Sequence, residues 1–189
     1  MTLDRTPQKN EALVKVINIW GGPGAGKSTT AAGLFFEMKK RQIEVELVTE
    51  YAKDMTWEKR HNVLSDQLYI LAKQNRRIQR LSEQVEYVIT DSPLPLGLIY
   101  KTDGYFSTFD AFLMDVWNSY DNHNFLIGRD FEYQAAGRNQ TAEQAVEVDD
   151  AIKTFLDTKG INYRRITNDP YTDRTTQILD LIGVNTPVK

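Results

Sequence analysis

The chain has 189 residues, with 41% hydrophobic and 26% charged side chains, an ordinary globular mix in a length that suits one domain spanning 1–189. It contains no cysteine and only two histidines, His61 and His123, far apart, which excludes disulfide scaffolds and thiol nucleophiles and argues against a histidine metal cluster or a Ser-His hydrolase. A net charge of −3 argues mildly against a DNA-coating protein, whose phosphate contacts need clustered cations.

In chain order, MTLDRTPQKNEA mixes charges without an apolar segment, and no later run approaches the roughly 18 apolar residues of a membrane helix, so a cytoplasmic protein without a signal peptide is expected. Leu13–Trp20 is apolar and β-branched and predicts a buried strand. Glycine-rich residues 21–26 lead into a helix over Lys27–Arg41, with Ala31, Leu34, Phe35 and Met38 on one side. Val45–Thr49 predicts a second strand. Ser65–Val85 reads as a long helix capped by Ser65 or Asp66, with Leu64, Leu68, Leu71, Ile78, Leu81 and Val85 on one face. Tyr87–Thr90 predicts a third strand, and the segment after it is broken by Pro93, Pro95, Gly97 and Gly104. Helix resumes behind Ser107 with Phe109, Phe112, Leu113, Val116, Trp117 and Tyr120 inward. Phe125–Ile127 is the fourth strand, followed by the polar stretch GRDFEYQAAGRNQ. A helix capped by Thr141 and closed by Gly160 turns Ala145, Val148, Ile152 and Phe155 inward; Tyr163–Ile166 and Thr172–Ile182 are the last strand and helix. Short apolar strands alternating with helices predict an α/β fold: a three-layer, doubly wound, five-stranded parallel sheet.

Residues 21–28, GGPGAGKS, satisfy G-x-x-x-x-G-K-[ST] after an apolar strand and at the start of a helix. Glycines let backbone amides of Gly22, Pro23-Gly24, Ala25 and Gly26 turn around an anion, and the helix N-terminus adds partial positive charge. Lys27 is placed to bridge the β- and γ-phosphates, Ser28 to hold Mg²⁺ and Thr29 to reach the α-phosphate of a nucleoside triphosphate, ATP being the expected cofactor. Asp91 closes the third strand as a Walker B acid would, for the Mg²⁺ shell or to orient an acceptor, although Asp-Ser-Pro is also a natural turn.

GGPGAGKST, a strand ending VTEYAK, VITDSP and an arginine-bearing polar stretch after the fourth strand together resemble the P-loop kinase group of nucleoside, nucleotide and nicotinamide riboside kinases. No N-K-x-D guanine motif is present, and motor and AAA-type ATPases usually need more chain. The resemblance implies a P-loop NTPase fold with a lid at about 129–141, whose Arg129 and Arg138 would act on the phosphates, and an acceptor-side helical region at about 51–85. It implies that Glu50 accepts the proton of the attacking hydroxyl and that Trp57 walls the base pocket, as in deoxynucleoside kinases; the spacing is longer here, and the arginine that follows the third-strand acid in that branch is replaced by Ser92-Pro93. The competing assignment makes Asp91 the base and Glu50 a ribose contact. Tyr51 and Lys53, in VTEYAK, are more similar to the ribosylnicotinamide kinase branch, and Asn168-Asp169-Pro170-Tyr171 stands where the group packs a loop against adenine. Trp57 as a core anchor and residues 168–171 as a capping turn are equally open.

Gln67 and Gln74 could read a base edge, and Arg60, Lys73, Arg76, Arg77 and Arg80 form either a solvated helix face or a cationic rim for a nucleotide or a DNA strand. The expected activity is Mg²⁺-dependent phosphotransfer from ATP to a nucleoside- or nucleotide-like acceptor. The rivals are a kinase for hydroxymethyl-pyrimidines within DNA and an ATP-dependent switch with weak hydrolysis, and a homodimer is left open.

Overall fold

Successive side chains of the first strand, β1 (Lys15–Trp20), enter two different cores because both faces of the sheet are covered. The computed structural model describes residues 13–129, 141–167 and 172–184. Within them β1 is joined by β2 (Val45–Val48), β3 (Tyr87–Thr90), β4 (Asp121–Ile127) and β5 (Arg164–Ile166) in one sheet of order β2-β3-β1-β4-β5, parallel throughout. The helices are α1 (Lys27–Lys40), α2 (Tyr51–Trp57), α3 (Gln67–Gln79), α4 (Leu96–Tyr100), α5 (Phe109–Asn118), α6 (Ala142–Thr158) and α7 (Arg174–Leu181).

On one face Ile17 and Ile19 pack with Leu34 and Met38 of α1 and Ile178 and Leu179 of α7. On the other, Val16 and Trp20 pack with Leu71 and Ile78 of α3, Leu113 and Trp117 of α5, and Ile152 and Leu156 of α6. Each such side chain, taken fully out of water, contributes about 1.5–3 kcal/mol of transfer free energy, so the two cores hold the sheet edge against which the loops are set. Among the described residues no helix is long and apolar enough to cross a membrane.

The elements depart from expectation where polar residues enter the sheet or a loop folds locally. β4 begins at Asp121, four residues before the apolar run, because its asparagines are paired: Asn18 Nδ2 donates to Asn122 Oδ1 at 3.0 Å and Trp20 Nε1 to Asn124 Oδ1 at 3.1 Å. Helix α3 starts behind Asp66, which accepts from the Tyr69 amide at 3.0 Å, and stops at Gln79, ahead of Glu83 in the left-handed region at φ 67°. Leu68 and Phe112, expected inward, are exposed. Helix α5 starts behind Thr108 rather than Ser107. The short helix α2 falls within the helical region expected at about 51–85, whereas α4 was not expected. Pro93 and Pro95 precede α4 instead of breaking it, since a helix entrance has no need of their missing amide hydrogens. Helix α6 matches its capping signal: the Gln144 amide donates to Thr141 Oγ1, and the Thr141 amide to Gln144 Oε1.

Candidate active site

The loop between β1 and α1 lies at the carboxyl ends of the strands, where the strand order reverses and sheets of this kind bind ligands. Gly26, the N-cap of α1, has φ 93°, a left-handed conformation that a side chain would strain. Lys27 Nζ donates to the Gly22 carbonyl at 3.0 Å, folding the lysine back over its own loop. Ser28 Oγ donates to Asp91 Oδ2 at 2.6 Å. Asp91 follows β3, which pairs directly with β1, so the third strand's acid and the loop's hydroxyl are brought together by the sheet itself.

Asp91 is 2% exposed, and its Oδ1 is a buried oxygen with no hydrogen-bond partner. A buried carboxylate oxygen left unpaired is costly unless something else satisfies it. A hydroxyl and a carboxylate in contact, with one carboxylate oxygen to spare, fit a hard cation such as Mg²⁺. Among the described residues no group of three or more His, Asp or Glu is placed to hold a metal, so such an ion would draw its remaining ligands from phosphate oxygens and water.

The loop opens on a cavity of about 540 Å³. Pro23, Gly24, Gly26, Lys27, Ser28 and Thr29, all of the loop and the start of α1, form one side of it. Glu50, Lys53, Gln67, Gln74, Ser92, Gly97 and Tyr100 are among the residues lining the remainder, together with apolar side chains of which Leu71 and Leu96 are examples. Glu50 is the N-cap of α2, yet its side chain accepts no capping hydrogen bond and lines the cavity instead. Burial pushes the Glu50 carboxyl above the usual carboxylate range; Lys27 opposes that shift and the charge of Asp91 adds to it. Tyr100 also lines the cavity, and burial, followed by the charges of Glu50 and Asp149, suppresses ionisation of its hydroxyl.

The other expected site residues fall into different environments. Gly22 and Ala25 do not line the cavity: the Gly22 amide donates to Asp149 Oδ1 at 2.5 Å, and the Ala25 carbonyl accepts from Arg174 Nη1 at 2.8 Å. Gln67 is buried on the cavity wall and spends its amide nitrogen on the Leu64 carbonyl at 2.7 Å. Gln74 ties down the end of β2: it accepts from the Tyr51 amide at 2.9 Å and donates to Thr90 Oγ1 at 3.3 Å. Tyr51 lies outside the cavity lining; its hydroxyl donates to that of Tyr69 at 3.0 Å and its ring lies under Arg77.

Trp57 is 62% exposed and does not line the cavity, which corrects both readings of it, pocket wall and core anchor. It ends α2, whose inward residue is Met55. Arg77 is engaged with Asp54 and the Thr49 carbonyl, while Lys73, Arg76 and Arg80 are exposed. Arg129 does not line the cavity either; it pairs with Asp149 of α6, Nη2 at 2.8 Å and Nε at 3.0 Å, and donates to the Ala145 carbonyl at 3.2 Å. Arg138, Asn168 and Pro170 lie outside the described residues.

Three residues of the site carry no sequence signal. Tyr100 sits in the proline- and glycine-broken segment, Asp149 is a lone carboxylate on the face of α6 that turns Ala145 and Ile152 inward, and Arg174 stands at the start of the last helix. Arg174 is buried and spans two carbonyls, Ala25 in the phosphate loop and Gly128 after β4, each at 2.8 Å.

Several solved structures share this fold. The NadR protein in complex with NR is 19% identical with a TM-score of 0.69, over 94% of this chain and 53% of that one, so the chain spans about half the length of that protein. Deoxyadenosine kinase from M. mycoides with bound dATP is 18% identical with a TM-score of 0.54, over 90% of this chain and 99% of that one. Thymidylate kinase from Ehrlichia chaffeensis is 15% identical with a TM-score of 0.58, over 90% and 99% of the two chains. No curated protein matches the sequence. At these identities the likeness speaks for the fold, a P-loop NTPase α/β sheet, and the sequence itself matches the AAA domain family AAA_28 over residues 16–174. The length argument that set larger AAA-type machines aside therefore does not reach this family, and the chain belongs to AAA_28.

Proposed function

We propose that the chain transfers the γ-phosphoryl group of ATP to a hydroxyl of a nucleoside-like acceptor held in the cavity. The observation that carries this reading is that one cavity has the phosphate loop on one side and the half-buried, uncapped Glu50 on the other. Lys27 and the loop amides bind the phosphates, and the charge of Lys27 is available to the transferring group. The acceptor oxygen attacks the γ-phosphorus, its proton passes to Glu50, and the bond to the β-phosphate oxygen breaks to release ADP. Mg²⁺, when bound, would be held by Ser28 and Asp91 and would neutralise developing charge on the phosphates. The contact between Ser28 and Asp91 supports giving Asp91 to the metal and Glu50 to the acceptor.

Charge supports a hydroxyl acceptor over a monophosphate. A phosphate dianion in this cavity would lie beside Glu50, which already feels the charge of the buried Asp91, and like charges at close range in a partly buried site repel; Lys27 and Lys53 offset part of that charge. The name of one similar solved structure, deoxyadenosine kinase, agrees with a nucleoside acceptor, while that of another, thymidylate kinase, belongs to a nucleotide acceptor, and both acceptor classes are in the screen below. Transfer of labelled phosphate from ATP, screened over nucleosides, nucleoside monophosphates, nicotinamide riboside and hydroxymethylated duplex DNA, tests the reading. Label on a free nucleoside supports it. Label only on monophosphates or on the duplex moves the acceptor class, and label only in water points to a nucleotide-dependent switch.

A further inference from the structure

The phosphate loop is held from behind by a helix that the reaction described above does not use. Asp149, on α6, places Oδ1 2.5 Å from the Gly22 amide nitrogen and Oδ2 2.8 Å from Arg129 Nη2. The fit is close on the loop side: a Cβ on Gly22 would lie 2.6 Å from Asp149 Oδ1 and 2.7 Å from the Ala145 carbonyl oxygen. The carbonyl belongs to the helix backbone and cannot swing away, so α6 and the loop approach as near as a glycine permits. Ala145, the α6 residue at this approach, is fully buried, and its carbonyl also accepts from Arg129.

We propose that Asp149 is a positioning residue of the phosphotransfer site: it fixes the entrance of the phosphate loop to α6, with Arg129 as its counter-charge. This rests on the phosphotransfer reading. A carboxylate beside a triphosphate site would repel the nucleotide if bare, and the Arg129 guanidinium cancels that charge while leaving Oδ1 to accept from the loop. The bond has a consequence for catalysis because the amides that cradle the phosphates follow Gly22 directly. A loop entrance free to shift by an ångström moves every later amide relative to the reacting phosphorus. The charge of Asp149 also adds, after burial and Glu50, to the suppressed ionisation of the Tyr100 hydroxyl, which lines the cavity.

The test uses the full chain and two substitutions at one position. Asp149→Asn keeps an oxygen that can accept from the Gly22 amide, whereas Asp149→Ala keeps none. In the ¹⁵N–¹H spectrum without nucleotide, Asp149→Ala is expected to shift the amide resonances of Gly22 and residues 24–28, and Asp149→Asn to leave them near their wild-type positions. In turnover with Mg-ATP, Asp149→Ala is expected to lower kcat by about tenfold or more with a smaller change in KM for ATP, and Asp149→Asn to recover most of that loss. Gly22→Ala attacks the same contact from the loop side, so the double variant Gly22→Ala/Asp149→Ala should be no slower than the worse single variant. Unchanged loop resonances in Asp149→Ala, equal damage in Asp149→Asn and Asp149→Ala, or multiplicative losses in the double variant would each overturn the assignment. The spectrum is read without nucleotide, so a chain with the loop tie intact but no transfer or hydrolysis in wild type would count against the phosphotransfer reading and not against the contact.

Discussion

The two sides of the cavity are built in opposite ways. On the donor side nearly every contact is made by groups locked in place. Ser28 is on Asp91, Lys27 on the Gly22 carbonyl, Gly22 on Asp149, and the buried Arg174 bridges Ala25 and Gly128. On the acceptor side Glu50 makes no capping bond, Lys53 and Tyr100 face the same space, and the wall is assembled from the end of β2, α2, α3 and α4. Under the proposed phosphotransfer reading, the difference matches what each side has to do. A triphosphate is the same in every reaction and rewards a rigid, preorganised cradle, whereas the acceptor has to be selected by groups that still have bonds to offer.

Breaking the donor side should have the largest effects. Lys27→Ala is expected to lower transfer by about a hundredfold or more while far-UV circular dichroism stays unchanged, because the lysine faces the loop and not either core. Asp91→Asn should come next: turnover falls by about tenfold to a hundredfold, including acceptor-free ATP hydrolysis, and a titration of rate against Mg²⁺ shifts to higher concentration. A normal magnesium titration in that variant would return Asp91 to the role of acceptor base.

On the acceptor side the contrast predicts effects confined to transfer. Because burial raises the Glu50 carboxyl, its ionised form is reached only above the usual carboxylate range. The acidic limb of the transfer rate should therefore lie at higher pH than for an exposed glutamate. The same shift has a sign for stability. The native state binds this proton more tightly than the unfolded chain, so Glu50 lowers stability increasingly as pH rises through its shifted range. Glu50→Gln should raise the melting temperature at neutral pH, by an amount that shrinks as pH falls toward 4; an effect that grows on acidification would contradict the raised proton affinity. The smallest effect belongs to Trp57→Ala: with the indole exposed at the end of α2 and outside the cavity lining, stability should change by no more than about 0.5 kcal/mol and KM for the acceptor should hold.

The same contrast explains what could be read from the sequence. The donor side is a contiguous motif after a strand, and Asp91 follows a short apolar strand as a Walker B acid would, so a shared role for Ser28 and Asp91 was legible without coordinates, and the pairing of β3 with β1 brings them together. Its supports were not. Gly22 meets Asp149 across 127 residues and Ala25 meets Arg174 across 149; helical spacing turns Asp149 inward with Ala145 and Ile152, but no local pattern names the loop as its partner. Strand β4 was read three residues long because Asn122 and Asn124 look like loop residues until they are paired with β1. On the acceptor side the short helix α4 lies in the stretch whose prolines and glycines read as loop, and Tyr100 was missed with it. Glu50 was found because it follows a strand; Trp57 was misplaced because its proximity in sequence to Glu50 says nothing about which way a seven-residue helix turns it.

The most direct test of the division between the two sides is the fate of the γ-phosphate in the wild type and in Glu50→Gln, measured as label on a nucleoside acceptor and label released to water under the same conditions. The account predicts that the wild type places label on the acceptor, and that Glu50→Gln loses this transfer while binding Mg-ATP and hydrolysing it without acceptor at rates close to wild type. A Glu50→Gln protein that still phosphorylates the acceptor at the wild-type rate would contradict the account.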